Sequence, residues 1–345
     1  MTVSKEFWSE RILGQKPYTA GEQPKNPNLI KLNTNENPYA PAAGDELLRL
    51  YPDPGASGLC AAIAEVCGVS PERVFAGNGS DEVLAFAFLA FFSGRKLYAP
   101  DITYSFYPVW ANFFGAEYHT IPLTAEFELC AEDYLNLDGA IIFANPNAPT
   151  GKLLPLQEVE RIIIANPSRV IIVDEAYIDF APAGNSAVPL VEKYPNLLVV
   201  QTASKAYSLA GLRVGWAIGN ENLIAALNVV KNCINSYTVD SNAQATASEV
   251  IRNREAFRRN AAQIAASRDW TTAELRRLGF TVPESSANFV FAKPPAPIHG
   301  EMGKSASELL QLLRDRNILV RYFNLPRIDE YLRISIGTPE QMKIL

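Results

Sequence analysis

An α/β fold is predicted for this 345-residue chain: a mixed, mostly parallel sheet sandwiched by helices, followed by a smaller α/β unit. Three observations predict it. Short segments rich in β-branched and aromatic residues alternate with helical stretches through the middle of the chain. Several of those segments, such as AIIFA at 140–144, are apolar at every position. Polar residues stand closely after them. A strand that is apolar on both faces needs a covering layer on each side, which is the condition of a parallel sheet between helices. Ligands of such a sheet bind beyond the carboxyl ends of its strands.

Taken in order, strands are expected at 74–76, 96–99, 117–121, 140–144, 170–173 and 197–201, with 214–218 closing the series. Most are bounded by Gly, Pro, Asn or Asp. Helices are expected at 81–92, 104–114 and 156–165. The first contains VLAFAFLAFF, residues 83–92. That run falls well short of the ~18–20 residues that span a bilayer, so it reads as a helix buried in a large protein. From residue 220 a largely helical stretch runs through Arg252, Arg258, Arg268 and Arg276. Segments 288–292, 305–315, 319–323 and 331–335 then alternate again. The expected organisation is an N-terminal segment 1–40 that joins the small unit or a neighbouring subunit, a large unit 41–240 and a small unit 241–345. No linker composition marks the boundary.

Lysine and arginine number 31 against 37 aspartates and glutamates, a net charge of −6. That balance argues against a nucleic-acid partner, which would need a basic face. Cys60, Cys67, Cys130 and Cys233 stand far apart, and His119 and His299 are the two histidines, so no tetrahedral metal set is visible. Isolated cysteines in apolar company are more often core filler, and a reducing compartment suits them. The opening residues lack the apolar core of a secretory leader. A soluble, cytoplasmic protein with no membrane association is expected.

The strand ends hold the chemistry. Residues 77–82 read GNGSDE and lead into the buried helix. Glycines at a strand-to-helix turn free the N–H groups at the helix start for an anion, although Ser80 or Asp81 could serve simply as an N-cap. The turn matches neither the dinucleotide nor the P-loop pattern. Asp174 leaves an apolar strand toward the ligand crevice, where it can hold a cationic nitrogen or cap the next helix. Thr202, Ser204 and Lys205 end the next strand, with Arg213 shortly beyond. A lysine there can be a desolvated amine nucleophile. Each feature alone is weak. An anion cup, an aspartate for a pyridinium and a lysine for a Schiff base, in strand-end order, match one cofactor, pyridoxal 5′-phosphate.

These residues carry a family resemblance. The chain resembles the fold-type-I pyridoxal-phosphate aminotransferases, and most closely the histidinol-phosphate aminotransferases. The matching stretches are LNTNENPY (32–39), YPDP (51–54), GNGSDE (77–82), PDITYSFYP (100–108), NPNAPTG (145–151), VDEAY (173–177), SKAYSLAGLRVGW (204–216), LVRYF (319–323) and YLRISIGT (331–338). The resemblance implies that Lys205 binds the cofactor covalently and moves the substrate proton, that Asp174 pairs with the pyridinium nitrogen and that Tyr177 holds the ring's phenolic oxygen. It implies that Tyr104 stacks on the ring. Phe106, Tyr107 and Trp110 are expected to be core. The phosphate would meet the N–H groups at Ser80 and Asp81, the hydroxyls of Ser204 and Thr202, and Arg213. Tyr51 would reach it from the neighbouring subunit of a homodimer with shared active sites.

One departure bears on the ring. Ala148 stands where relatives commonly carry an asparagine that touches the ring oxygen, and the adjacent Asn147 should point elsewhere if the backbone path is kept, although it stays a cofactor-binding candidate. Substrate binding is expected from Arg321, Arg333 and Tyr18. An arginine like Arg333 clamps a carboxylate in aminotransferases, whereas histidinol phosphate carries a phosphate, and Arg321 supplies a second cation. The implied reaction is transamination between L-histidinol phosphate and 2-oxoglutarate, giving glutamate. An aromatic amino-acid aminotransferase and a threonine-phosphate decarboxylase are the alternatives on the same scaffold.

Overall fold

Fully apolar strands and glycine-bearing turns assemble in the computed structural model, which describes residues 5–23, 30–295 and 305–345. His299 lies outside the described residues. The strands β1 (Val74–Gly77), β2 (Lys96–Pro100), β3 (Glu117–Ile121), β4 (Ala140–Ala144), β5 (Ile171–Asp174), β6 (Leu197–Thr202) and β7 (Gly215–Gly219) form one sheet. Its order is β1-β7-β6-β5-β4-β2-β3. Only β7 runs against its neighbours, so the carboxyl ends of the other six share one edge with the start of β7. The edge strand β3 carries Glu117, His119 and Thr120, a polar composition that discourages further pairing.

Alternation along the strands sends side chains to two cores. Ile141, Phe143, Ile171, Val173 and Val199 face one cluster, and Ile142, Ile172, Leu198 and Val200 face the other. Helices cover both faces: α1 (Glu10–Leu13), α2 (Ser57–Cys67), α3 (Gly79–Ala87), α4 (Phe106–Phe114), α5 (Leu156–Ala165), α6 (Glu221–Ile234), α7 (Ser241–Arg252) and α8 (Arg254–Arg277). Of the segment 1–40, Trp8 and Ile12 are buried in the large sheet's second cluster, with Trp8 Nε1 donating to the Asn222 carbonyl. The first cluster takes in Ala243, Ala247, Ile251 and Phe257, beyond residue 240. Cys60 is buried as core filler, but Cys233 is exposed.

The structure corrects three expected boundaries. The helix expected at 81–92 starts at Gly79 and becomes π-helical over Phe88–Phe92, where the Ser93 N–H reaches back five residues to the Phe88 carbonyl. The helix expected from 104 starts at Phe106, leaving Tyr104 in the preceding loop. The long helical stretch divides into three helices, because the Asp240 and Asn253 side chains cap α7 and α8. Helix α2 is among those not anticipated; it buries Leu59, Cys60 and Ile63 and stops at Gly68, which is left-handed.

The smaller sheet has the order β8-β10-β9, all antiparallel, from β8 (Phe289–Ala292), β9 (Arg321–Tyr322) and β10 (Leu332–Ser335). Helices α9 (Ala306–Asp315), opened by a Ser305–Glu308 capping box, and α10 (Pro339–Ile344) complete this part. It meets the large sheet through Phe291 and Ile328 on Ile102, Leu123 and Phe127.

Glycine is required where β7 begins. Gly215 pairs with Gly77 on one side and Thr202 on the other. A Cβ at 215 would lie 2.2 Å from the Ser80 nitrogen and 2.5 Å from the Gly79 carbonyl carbon. Both obstacles are backbone, so neither can swing aside. Gly215→Ala should therefore lower stability by about 1–3 kcal/mol through overpacking, read as a lower urea midpoint. An unchanged midpoint would show that α3 can retreat freely.

Candidate active site

The shared strand edge forms a cavity of about 140 Å³. Ser80 and Asp81 of α3, Tyr104, Ala148, Asp174 at the end of β5, Tyr177, Thr202 and Ser204 at the end of β6, Lys205 and Arg213 all line it. Residues as far apart in sequence as Ser80 and Arg213 thus meet, because the segments that carry them all leave the sheet at one edge. Arg213, left-handed at φ 55°, brings Nη2 to 3.3 Å from Asp81 Oδ2. Gly79 admits that guanidinium, since a Cβ there would sit 2.6 Å from Nη2. Cation and helix N-terminus therefore converge on one anion cup.

Asp174 is 4% exposed. Its Oδ2 accepts from Tyr107 Oη at 2.8 Å, and its Oδ1 from the Ala176 N–H at 3.1 Å. Burial pushes its carboxyl up to about 6, while the Tyr107 and Ala176 donors and the Lys205 charge act in the other direction. A buried carboxyl of this kind is suited to a cationic partner. Lys205 extends over the Tyr177 ring, with Nζ 5.5 Å from the ring centroid. Desolvation, then the Arg333 charge, lowers the affinity of that amine for its proton. Both effects favour a nucleophilic amine. Tyr104 Oη donates to Asp81 at 2.9 Å, and burial raises the phenols of both Tyr104 and Tyr177.

Other expectations fare differently. The Thr202 hydroxyl donates to the Val214 carbonyl and accepts from the Ser204 N–H, so its proton is already used within the chain. Asn147 is not in the cavity: its Nδ2 donates to the Ile102 carbonyl and to Thr150, and it lines a neighbouring cavity. Ala148 packs with Ala287, Phe289 and Tyr177, an apolar setting that suits a methyl group. Tyr18 is exposed, and Tyr51 is half exposed with its ring stacked on Tyr237 at 4.7 Å. Neither lines the cavity. Arg321 and Arg333 are cross-strand partners, each guanidinium within 5.4 Å of the Phe323 ring centroid. Among the described residues neither forms an ion pair. Arg333 stands close enough to Lys205 and Tyr177 to bear on both.

Two buried groups escaped sequence reasoning. Tyr107, expected as core, is indeed fully buried, but its hydroxyl reaches Asp174; nothing in the sequence pattern set that hydroxyl apart from its aromatic neighbours. Glu175, pushed up to about 7 by burial, accepts from Ser186, the Ala187 N–H and Gln201. Nothing in its spacing set it apart from Asp174. Among the described residues there is no group of three or more His, Cys, Asp or Glu side chains that could hold a metal ion, and no helix long and apolar enough to cross a membrane.

The donor set fits pyridoxal 5′-phosphate: an anion cup, a buried carboxyl for a ring nitrogen, a phenol and an amine line one cavity. A fold with this edge and this lysine–aspartate pair defines a class. The chain belongs to the class I and II aminotransferase family, whose model matches residues 24–345. It is 50% identical to the histidinol-phosphate aminotransferase of Aromatoleum aromaticum, over 99% of this chain and 97% of that protein. At that identity over nearly the full length, the histidinol-phosphate aminotransferases are its branch of the family. In fold it is similar to the histidinol-phosphate aminotransferase from Clostridium acetobutylicum, with TM-score 0.78, 23% identity and coverage of 87% of this chain and 89% of that one. It is also similar to the Sinorhizobium meliloti histidinol-phosphate aminotransferase in complex with pyridoxal-5′-phosphate, with TM-score 0.73, 24% identity and coverage of 86% and 80%.

The elevated Asp174 carboxyl has a consequence for stability. With the cofactor removed, the folded chain holds this proton more tightly than an unfolded chain does. The group's contribution is then full below pH ~4 and is lost as pH rises through about 6. Two pH units correspond to roughly 3 kcal/mol. Asp174→Asn, neutral throughout, should gain on the wild type by up to roughly that amount between pH 4 and pH 8 in urea melts. An offset independent of pH would mean that the carboxyl titrates normally.

Proposed function

We propose that the protein transfers the amino group of L-histidinol phosphate to 2-oxoglutarate with pyridoxal 5′-phosphate as cofactor, a step of histidine biosynthesis. The observation that carries the substrate is the pair Arg321 and Arg333, opposed on adjacent strands with no carboxylate partner among the described residues. Two guanidiniums suit a phosphate that one could hold only in part. Relatives named for this substrate, half identical to the chain, support the same reading.

The roles come from the cavity. Ser80 and Asp81 N–H groups, Ser204 and Arg213 hold the cofactor phosphate, Asp174 its ring nitrogen and Tyr177 its phenolic oxygen, with Tyr104 against the ring. When bound, the cofactor supplies an aldehyde for amino groups and a ring that accepts an electron pair. Lys205 Nζ would hold the cofactor and would take the proton from the amino-bearing carbon of the donor. Asp174 would keep a positive charge at the ring nitrogen, so that the ring, when bound, would accept the electron pair. The apolar group at Ala148 leaves Tyr177 as the phenol beside the ring oxygen, with no amide side chain among the described residues of the cavity lining. All four cysteines are free, as a cytoplasmic enzyme's would be.

The substrate assignment is tested by Arg321→Ala. Charge-assisted bonds to phosphate contribute about 1.5–3 kcal/mol each, so KM for histidinol phosphate should rise at least ~10-fold. A phosphate-free donor such as phenylalanine should change less. Equal losses would point to an aromatic aminotransferase, and faster turnover of threonine phosphate to the decarboxylase.

The protein works as a homodimer in this reading, with Tyr51 in the opposite subunit's site. Support comes from the phenol's exposure, its stacking on Tyr237 and its absence from the cavity of its own chain. Mixing Lys205→Ala chains with Tyr51→Ala chains places both defects in one site of each heterodimer and none in the other. Activity should return to about half the wild-type value per heterodimer. If Tyr51 served its own chain, mixing would restore nothing.

A further inference from the structure

We propose that Tyr107 is a positioning residue for the reaction: it acts through Asp174, fixing one carboxylate oxygen so that the other faces the ring nitrogen of the cofactor. The proposal rests on the assignment of Asp174 to that nitrogen. Tyr107 itself is fully buried and is absent from the cavity lining, so it touches neither cofactor nor substrate. Its ring is wedged against Tyr104, centroids 5.6 Å apart and nearly perpendicular, and against Phe88 at 6.3 Å. In that packing the hydroxyl meets Asp174 Oδ2 at 2.8 Å.

The surroundings of Asp174 explain why such a donor is needed. The carboxylate is enclosed by β5, the start of α3, α4 with its preceding loop, and the segment after β6. Asp81 from α3 opposes its charge, Lys205 supports it, and Tyr104, Tyr107 and Tyr177 are the phenols around it. Among the described residues the Ala176 N–H gives its other hydrogen bond, and that holds Oδ1. Without Tyr107, Oδ2 would be buried with no donor, and the side chain would be free to turn or to take a proton. The phenol favours the ionised carboxylate and sets its plane. Both properties are what a partner for a cationic nitrogen requires.

The test compares Tyr107→Phe, which removes only the hydroxyl, with Tyr134→Phe. Tyr134 is equally buried, but among the described residues its hydroxyl has no hydrogen-bond partner, so that variant controls for loss of a buried oxygen. In the full-length enzyme, affinity for pyridoxal phosphate is measured across pH by the cofactor's absorbance. In Tyr107→Phe the acid limb of that profile should move up by about one pH unit, a tenfold change in the proton equilibrium. Tyr134→Phe should leave it in place. Stability is then measured for Tyr107→Phe in the wild-type and the Asp174→Asn backgrounds. The loss should be several-fold smaller in the unfolding equilibrium when Asp174 is already neutral. A Tyr107→Phe chain that folds only in the Asp174→Asn background is the same coupling in its extreme form. Equal losses in both backgrounds, or failure to fold in both, would make Tyr107 an ordinary core residue and overturn the proposal. Coupling in stability with an unmoved acid limb would keep the Tyr107–Asp174 bond but remove Asp174 from the cofactor nitrogen, and the proposal would fall with that assignment.

Discussion

The backbone of β7 starts directly beneath the first turn of α3, and the cavity depends on that contact. Gly215 lies between Gly77 and Thr202 in the sheet and presses on the Gly79–Ser80 peptide. With no side chain there, the helix start can sit on the strand edge. Its N–H groups then point into the space into which Arg213, two residues before Gly215, also reaches. A bulkier residue would push α3 away and with it Ser80, Asp81 and the partner that Asp81 offers to Tyr104 and Arg213. Two glycines and one left-handed arginine thus decide where an anion can bind.

On this frame the sheet tolerates a buried carboxyl. Asp174 ends a strand otherwise made of Ile171, Ile172 and Val173, so it enters the cavity from an apolar layer. Its neighbour Glu175 turns to the other side and is saturated by Ser186, the Ala187 N–H and Gln201. Two adjacent acids therefore have different environments: one is fully tied into the scaffold, the other has donors on two sides and a cavity before it. Alternation along an extended backbone separates them.

A second set of contacts ties the part of the chain that carries Arg321 and Arg333 to the loops of the large sheet. Arg327 Nη1 pairs with Asp101 at 2.8 Å, and Nη2 donates to the Leu123 and Thr124 carbonyls. Asp101 begins the loop that carries Tyr104, so the placement of the small sheet and of that aromatic ring are joined. Arg268 adds bonds to the Phe180 and Ala287 carbonyls. Opposed guanidiniums at 321 and 333 repel one another, and the Phe323 ring face beside both offsets part of that cost.

Much of this was legible in the residues themselves. Uniformly apolar strands, glycine-rich turns and the polar groups after them determine the sheet, the edge where ligands bind and the set Ser80, Asp174, Lys205 and Arg213, because period and turn chemistry are local. The helix at 57–67 was missed, since its small residues carry a weak pattern. Asn147, Thr202 and Tyr107 could not be assigned from sequence, because a hydroxyl or amide has several possible partners and only packing selects one. Tertiary structure gave Thr202 to the Val214 carbonyl, Asn147 to Ile102 and Tyr107 to Asp174. It also set Arg321 opposite Arg333, a register fixed by the pairing of β9 with β10. Composition and spacing determine which chemical groups stand at the strand ends; the direction in which each one points is decided by what else is buried beside it.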